Sequence, residues 1–206
     1  MIKFENGSVM NLENAMRGAR NPFSSWSKSD SRYDEKGQYI LGEEDLGLAK
    51  RLCRAGSDHR KFIRQILVCV DITAPLYWWK EYDTYKVGTV ANSTSTMHKI
   101  HSKPFTAGDF SCDQMTPETF KEFEKAVAYL EKLRLKYLEN KDKAYWYDMI
   151  QFLPSSYNQL RTCTFNYETL VNIYHARKDH KLSEWHVFCD WVKTLPYAQE
   201  LIIDIK

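Results

Sequence analysis

The chain has 206 residues, 43% of them hydrophobic, 14% aromatic and 27% charged, with 29 Lys and Arg against 27 Asp and Glu. Six Trp, 13 Tyr and 10 Phe exclude a disordered chain, and the near balance of charge nominates neither nucleic acid nor a membrane surface as partner. This length favours one domain over residues 1–206.

Residues 1–7 turn polar at once, and the longest apolar run, 66–70, falls far short of the roughly 20 residues a bilayer crossing needs. A soluble, cytoplasmic protein is expected. Residues 21–42, rich in Ser, Asp, Gly and Pro, read as a long loop of the kind that often carries function. A helix is predicted over 43–55, acidic at its start and basic at its end, which complements the helix dipole. Gly56 breaks it. Residues 65–73 form the clearest strand: Ile66, Val68, Val70 and Ile72 share one face, while Leu67 and Cys69 indicate that the other is partly covered. Pro75 suits the opening of a helix that runs toward Lys86 and carries Leu76, Tyr77, Trp78, Trp79 and Tyr82. So dense an aromatic group points to core or subunit interface rather than to a base-stacking platform.

Residues 87–97 are small and hydroxyl-rich, which suits a substrate loop and a solvated turn equally. Thr116-Pro117-Glu118 is a strong helix start, with Phe120, Phe123, Ala126, Leu130, Leu133, Tyr137 and Leu138 continuing an apolar stripe to about Asn140. A second helix over 144–152 stops before Pro154. A short strand is predicted over 161–165, a helix capped by Asn166 through Arg177, and a last helix over 183–193. Helices and a small sheet without regular βαβ alternation give the α+β class.

The five cysteines are scattered and odd in number, which fits free thiols in a reducing compartment. His98 and His101 approach a metal-ligand spacing, but a solvated loop explains them better. Glycine-rich phosphate loops, Gly-x-Ser-x-Gly elbows and His-Glu-x-x-His are absent from the sequence. Asp83, Tyr85 and Lys86 beside hydroxyls resemble an acid/base cluster only loosely. His59, between a helix end and the main strand, is read first as a hydrogen-bonded structural residue.

The order of these residues resembles the flavin-dependent thymidylate synthases. That family has a helix ending in Gly-His, a strand, Ala-Pro and a helix leading into Arg-His-Arg-x-x-Ser-x-Asn-Glu-x-Ser-x-Arg-Tyr. Here His59, the strand, and Ala74-Pro75 stand at matching distances. In the same register Thr84, Tyr85 and Lys86 replace Arg-His-Arg, Thr89 replaces serine, Ala91 and Asn92 replace Asn-Glu, Thr94 replaces the second serine, and Thr96 and Met97 replace Arg-Tyr. Towards the C-terminus Leu153-Pro154, Asn166, Leu170, Asn172 and Arg177 match the family, while Glu168 and Ile150 stand where it has arginines.

The resemblance implies a single α+β domain with a small antiparallel sheet flanked by helices, assembled as a homotetramer. It implies FAD held near His59, Thr84, Tyr85, Lys86, Asn166 and Asn172, and dUMP near Glu81, Thr94 and Arg177, with no protein nucleophile. Exchanging two charge-assisted contacts for neutral ones costs about 1–3 kcal/mol, or tenfold and more in affinity. The expectation is therefore a nucleotide or flavin pocket with weak or no dUMP methylation. The alternative is a non-enzymatic interaction or regulatory protein that uses the fold as a scaffold, with Trp78, Trp79, Trp146, Trp185 and Trp191 offering a contact surface.

Overall fold

The computed structural model describes residues 2–205. Strands β1 (Lys3–Met10), β4 (Leu67–Pro75), β5 (Val90–Ser93) and β6 (Asn158–Asn166) form one sheet in the order β1-β4-β6-β5. Two backbone bonds fix the antiparallel register of the inner pair: Tyr167 N–H donates to Ile66 C=O at 3.1 Å, and Leu76 N–H to Tyr157 C=O at 3.0 Å. Between them Thr162 donates its hydroxyl to Asp71 across the strands at 2.5 Å. The predicted main strand is thus internal to the sheet, and its alternation is obeyed: Val68, Val70, Ile72 and Ala74 are all buried.

Contacts divide the chain into two compact units, and each of the four strands contributes residues to both. The first unit (1–4, 71–84 and 91–162) holds α3 (Leu76–Tyr82), α4 (Pro117–Asn140) and α5 (Lys143–Phe152). Thr116 caps α4 by accepting the Thr119 N–H, and Asp142 caps α5 by accepting that of Ala144. The apolar faces of these two helices enclose Phe123, Val127, Leu130, Leu133 and Met149 with Ile100, Phe105 and Phe110. Trp78, Trp79 and Tyr82 of α3 are buried and pack ring against ring. Three of the five residues of the predicted aromatic group are thus core within the chain, while Leu76 and Tyr77 are half-buried.

The second unit (5–70, 85–90 and 163–206) holds α1 (Leu12–Arg20), α2 (Glu43–Arg54), α6 (Tyr167–Arg177) and α7 (Ser183–Lys193), and closes on a π-helical turn over Gln199–Ile203. Its buried residues include Met16, Cys53, Ile63, Phe165, Leu170, Trp185 and Phe188. The segment predicted as a loop is more ordered than its composition suggests. It carries two 3-10 turns and a hairpin, β2 (Arg32–Tyr33) and β3 (Tyr39–Ile40), whose turn is closed by Asp34 accepting from the N–H groups of Lys36 and Gln38. A buried ion pair fastens it: Arg20 Nε reaches Asp45 Oδ1 at 2.6 Å, while Ser29 and Ser31 donate to the other carboxylate oxygen.

Three further differences from the expected elements stand out. β1 and α1 carry no reading in the sequence. α3 stops at Tyr82 and gives way to a 3-10 turn, Asp83–Tyr85. The hydroxyl-rich loop contains the edge strand β5, all four residues of which are exposed.

Candidate functional site

A cavity of about 760 Å³ lies in the first unit, and the hydroxyl-rich segment forms one wall of it. Thr94, Ser95 and Thr96 line that wall, and Lys3, Lys99, Lys103, Asp109, Asp113 and Asn158 of β6 also line the cavity. A network holds the wall in place. Thr94 N–H donates to Leu160 C=O at 2.9 Å, and the Gln159 amide donates to Thr94 C=O at 2.8 Å. Gln159 in turn accepts from Arg161 Nε, whose guanidinium lies 4.3 Å over the Trp79 ring and donates to Asp83 at 3.0 Å.

The loop beyond is fastened to the helical hairpin. Trp146 Nε1 donates to Met97 C=O, Arg134 to His101 C=O, and Glu131 accepts from Phe105 N–H. Preorganisation of this kind lowers the ordering cost of a ligand. Lys103 pairs with Asp109 at 2.5 Å, and that bond raises the lysine's affinity for its proton. Burial alone would raise the Asp109 carboxyl, but Lys103 and Thr106 outweigh it and hold it below the ordinary carboxylate range. The cavity therefore presents three ammonium groups, Lys3, Lys99 and Lys103, the last paired with Asp109, and a second carboxylate, Asp113, among several hydroxyls. That is a donor set for an oxyanion such as a phosphate monoester.

In the second unit the structure brings together some of the predicted residues. The Arg177 guanidinium lies 4.8 Å over the Trp185 ring and 5.4 Å over the Tyr85 ring, and its Nε donates to the Tyr85 hydroxyl at 2.7 Å. Asn166 caps α6, its Oδ1 accepting from both the N–H and the hydroxyl of Thr169 at 2.9 and 3.1 Å. The turn at Gly88 (φ 77°) sits directly on this cap: a β-carbon there would stand 2.6 Å from Thr169 Oγ1. His59, Lys86 and Asn172 are exposed. In the first unit Thr84 is exposed and Glu81 half-buried, and Thr94 alone of the predicted set reaches the cavity.

Glu168, the position where the resemblance has an arginine, is gripped by Arg60. Three hydrogen bonds of 2.9–3.1 Å join them, with the side chains only 14% and 13% exposed. The charge at that position is thus reversed and then neutralised internally. Among the residues that the resemblance assigns to FAD, Lys86 supplies the only fixed positive charge, whereas the dinucleotide carries two phosphate charges. These residues do not fit the cofactor's diphosphate. Among the described residues, no group of three His, Cys, Asp or Glu side chains is placed to hold a metal ion, and the His101 ring packs edge-on against Tyr137. No described helix is long and apolar enough to cross a membrane.

By sequence, no family model matches the chain and no curated protein does. By structure, it matches flavin-dependent thymidylate synthase ThyX from Helicobacter pylori, complexed with FAD and dUMP, with a TM-score of 0.70 over 99% of this chain and 98% of that one. The fold is that of a flavin-dependent thymidylate synthase. A second structure of the H. pylori enzyme with FAD and dUMP gives 0.69 over 98% and 96%, both at 16% identity. The UMP/dUMP methylase PolB from Streptomyces cacaoi, bound with 5-Br dUMP, gives 0.64 over 98% and 94% at 15% identity. The α+β architecture with a small antiparallel sheet is the ThyX architecture along nearly the whole chain.

Sequence reasoning missed Lys99, Lys103, Gln159 and Arg161. None lies in a motif, and the cavity joins segments about 60 residues apart. The hydroxyl run at 93–96 was the one visible signal.

Proposed function

We propose that this chain is a nucleotide-binding protein built on the ThyX fold, taking a pyrimidine nucleoside monophosphate of the dUMP class weakly and forming little or no thymidylate. The observation that carries the reading is the cavity wall of Thr94, Ser95 and Thr96 facing the same space as Lys99 and Lys103. Fixed hydroxyls and three lysines against two aspartates suit a phosphate monoester. The solved structures of this fold with dUMP and 5-Br dUMP support the pyrimidine class.

Two features weigh against dUMP methylation. Glu168 is committed to Arg60, and Arg177 is engaged by the Tyr85 hydroxyl and lies against the Tyr85 and Trp185 rings. A cofactor supplies chemistry only where the protein positions it, and the residues here do not match FAD. The burial of Trp78, Trp79 and Trp185 removes most of the tryptophan surface that a purely scaffolding role would use. We place the protein as a homotetramer in the cytoplasm, as the resemblance implies; its mass by light scattering at micromolar concentration tests the assembly.

The test of the reaction is tritium release from labelled dUMP with FAD, methylenetetrahydrofolate and reduced nicotinamide supplied. Background release is expected, and robust turnover overturns the reading. Binding has its own readout. Cys112 lines the cavity and is half-buried, so dUMP should slow its alkylation by iodoacetamide. Cys53 and Cys189, whose thiols burial pushes up to about 12 and about 11, serve as unreactive controls.

A further inference from the structure

The second unit contains a separate cavity of about 890 Å³ that the nucleotide reading leaves without a role. Its wall contains no Lys, Arg or His, and its one ionisable acid is Glu13. A phosphate or carboxylate ligand is therefore disfavoured there, because an anion would meet a carboxylate, while Arg17, outside the lining, is hydrogen-bonded to Asn14. What the wall does offer is aromatic and amide. Tyr33 and Tyr39 of the hairpin meet edge to face, 5.3 Å between centroids at 64°, and Trp191 and Tyr197 add two more partly exposed rings.

The polar groups are fixed in direction. Asn14 donates to Asn11 Oδ1 at 2.7 Å and accepts from Arg17 at 3.0 Å, while Asn11 Nδ2 donates to Gln65 C=O at 2.9 Å. Tyr33 gives its hydroxyl proton to Glu13 Oε2 at 2.5 Å, and the carboxylate has a second oxygen to offer. Two wall residues hold left-handed backbone: Asn11 at φ 69° and Tyr197 at φ 55°. For tyrosine that conformation costs on the order of 1–2 kcal/mol, and residues so strained tend to cluster at ligand sites. Tyr197 is kept there in part by its hydroxyl, which accepts the Leu41 N–H at 2.8 Å.

We propose that this cavity binds an uncharged, polyhydroxylated ligand of the sugar class. Aromatic faces take the C–H face of a sugar ring, while a carboxylate and oriented side-chain amides take its vicinal hydroxyls. The volume lies within the range of small-ligand sites.

The test is saturation-transfer NMR on the full chain with glucose, galactose, N-acetylglucosamine and maltotriose, alongside uridine and adenosine. At least one sugar should show transfer with a Kd on the order of 1 mM, the free-energy scale of a single open site. Tyr39→Ala should weaken it at least tenfold and Glu13→Gln at least threefold, with thermal melts confirming that both variants fold; Tyr33→Ala, which removes the exposed second ring of the hairpin, should also weaken it and provides the probe if Tyr39→Ala does not fold. A Lys103→Ala change in the other unit should leave it unmoved. Silence from all four sugars, preference for the nucleosides, or sugar binding indifferent to Tyr39, Tyr33 and Glu13 would each overturn the proposal.

Discussion

Glu168 and Arg60 show how a single position redirects a site. A carboxylate at 168 within a largely desolvated turn needs a partner, and Arg60 meets it with a fork of three hydrogen bonds. That bonding also raises the guanidinium's hold on its proton, against the opposing effect of burial. Removing one partner strands the other: Glu168→Ala should destabilise the fold by about 1–3 kcal/mol in urea melts, and Glu168→Arg by at least as much through like-charge contact. Asp45 is the stronger case, being fully buried. Burial would raise its carboxyl, but Ser29, Ser31 and Arg20 together hold it below the ordinary value. Its stabilising contribution is therefore complete above the unfolded carboxyl value, about 3.9, and is lost as pH falls through the lower folded value. Asp45→Asn should cost about 3–5 kcal/mol at pH 7. The gap between wild type and variant should narrow below about pH 4, which paired denaturant melts at the two pH values would read. Neither pair is legible in the sequence, because each joins positions 25 or more residues apart with no periodic signal.

At the scale of elements, legibility follows burial. α4, α6 and α7 are readable because a cap or an apolar stripe marks them: Thr116 and Asn166 both make the cap bonds that their residue types promise. β4 is readable because one face is fully buried. β1 and β5 are the edge strands of the sheet, and neither buries an alternating face, so no period of two is left to detect. β6 begins three residues earlier than its apolar pattern because Gln159 is held by hydrogen bonds instead of apolar packing. The turn between α3 and β5 depends on Gly88, whose φ of 77° and approach to Thr169 leave no room for a side chain. Gly88→Ala should cost about 1–3 kcal/mol in thermal or urea melts, and Gly88→Ala with Thr169→Ala should recover part of that loss. An equal cost in both backgrounds would show that backbone conformation alone sets the penalty.

For the molecule as a whole, architecture has outlasted the signature motif. The ThyX fold runs along nearly the entire chain at 16% identity, while in the register of the resemblance Thr84-Tyr85-Lys86 stand where that family has Arg-His-Arg. Such a fold specifies where strands and helices lie, not which ligand they hold. Around the cavity of the first unit the positive charge sits on Lys3, Lys99 and Lys103, of which the last two lie in the segment that follows the hydroxyl wall. Calorimetric titration with dUMP tests the nucleotide reading directly, on wild type and on the Lys99→Ala, Lys103→Ala double variant. The expected result is a Kd on the order of 0.1–1 mM for wild type, weakened about tenfold or more in the double variant, with cooperative thermal melts showing that the variant still folds. No heat from dUMP in the wild type, or equal affinity in the two proteins, would contradict that reading.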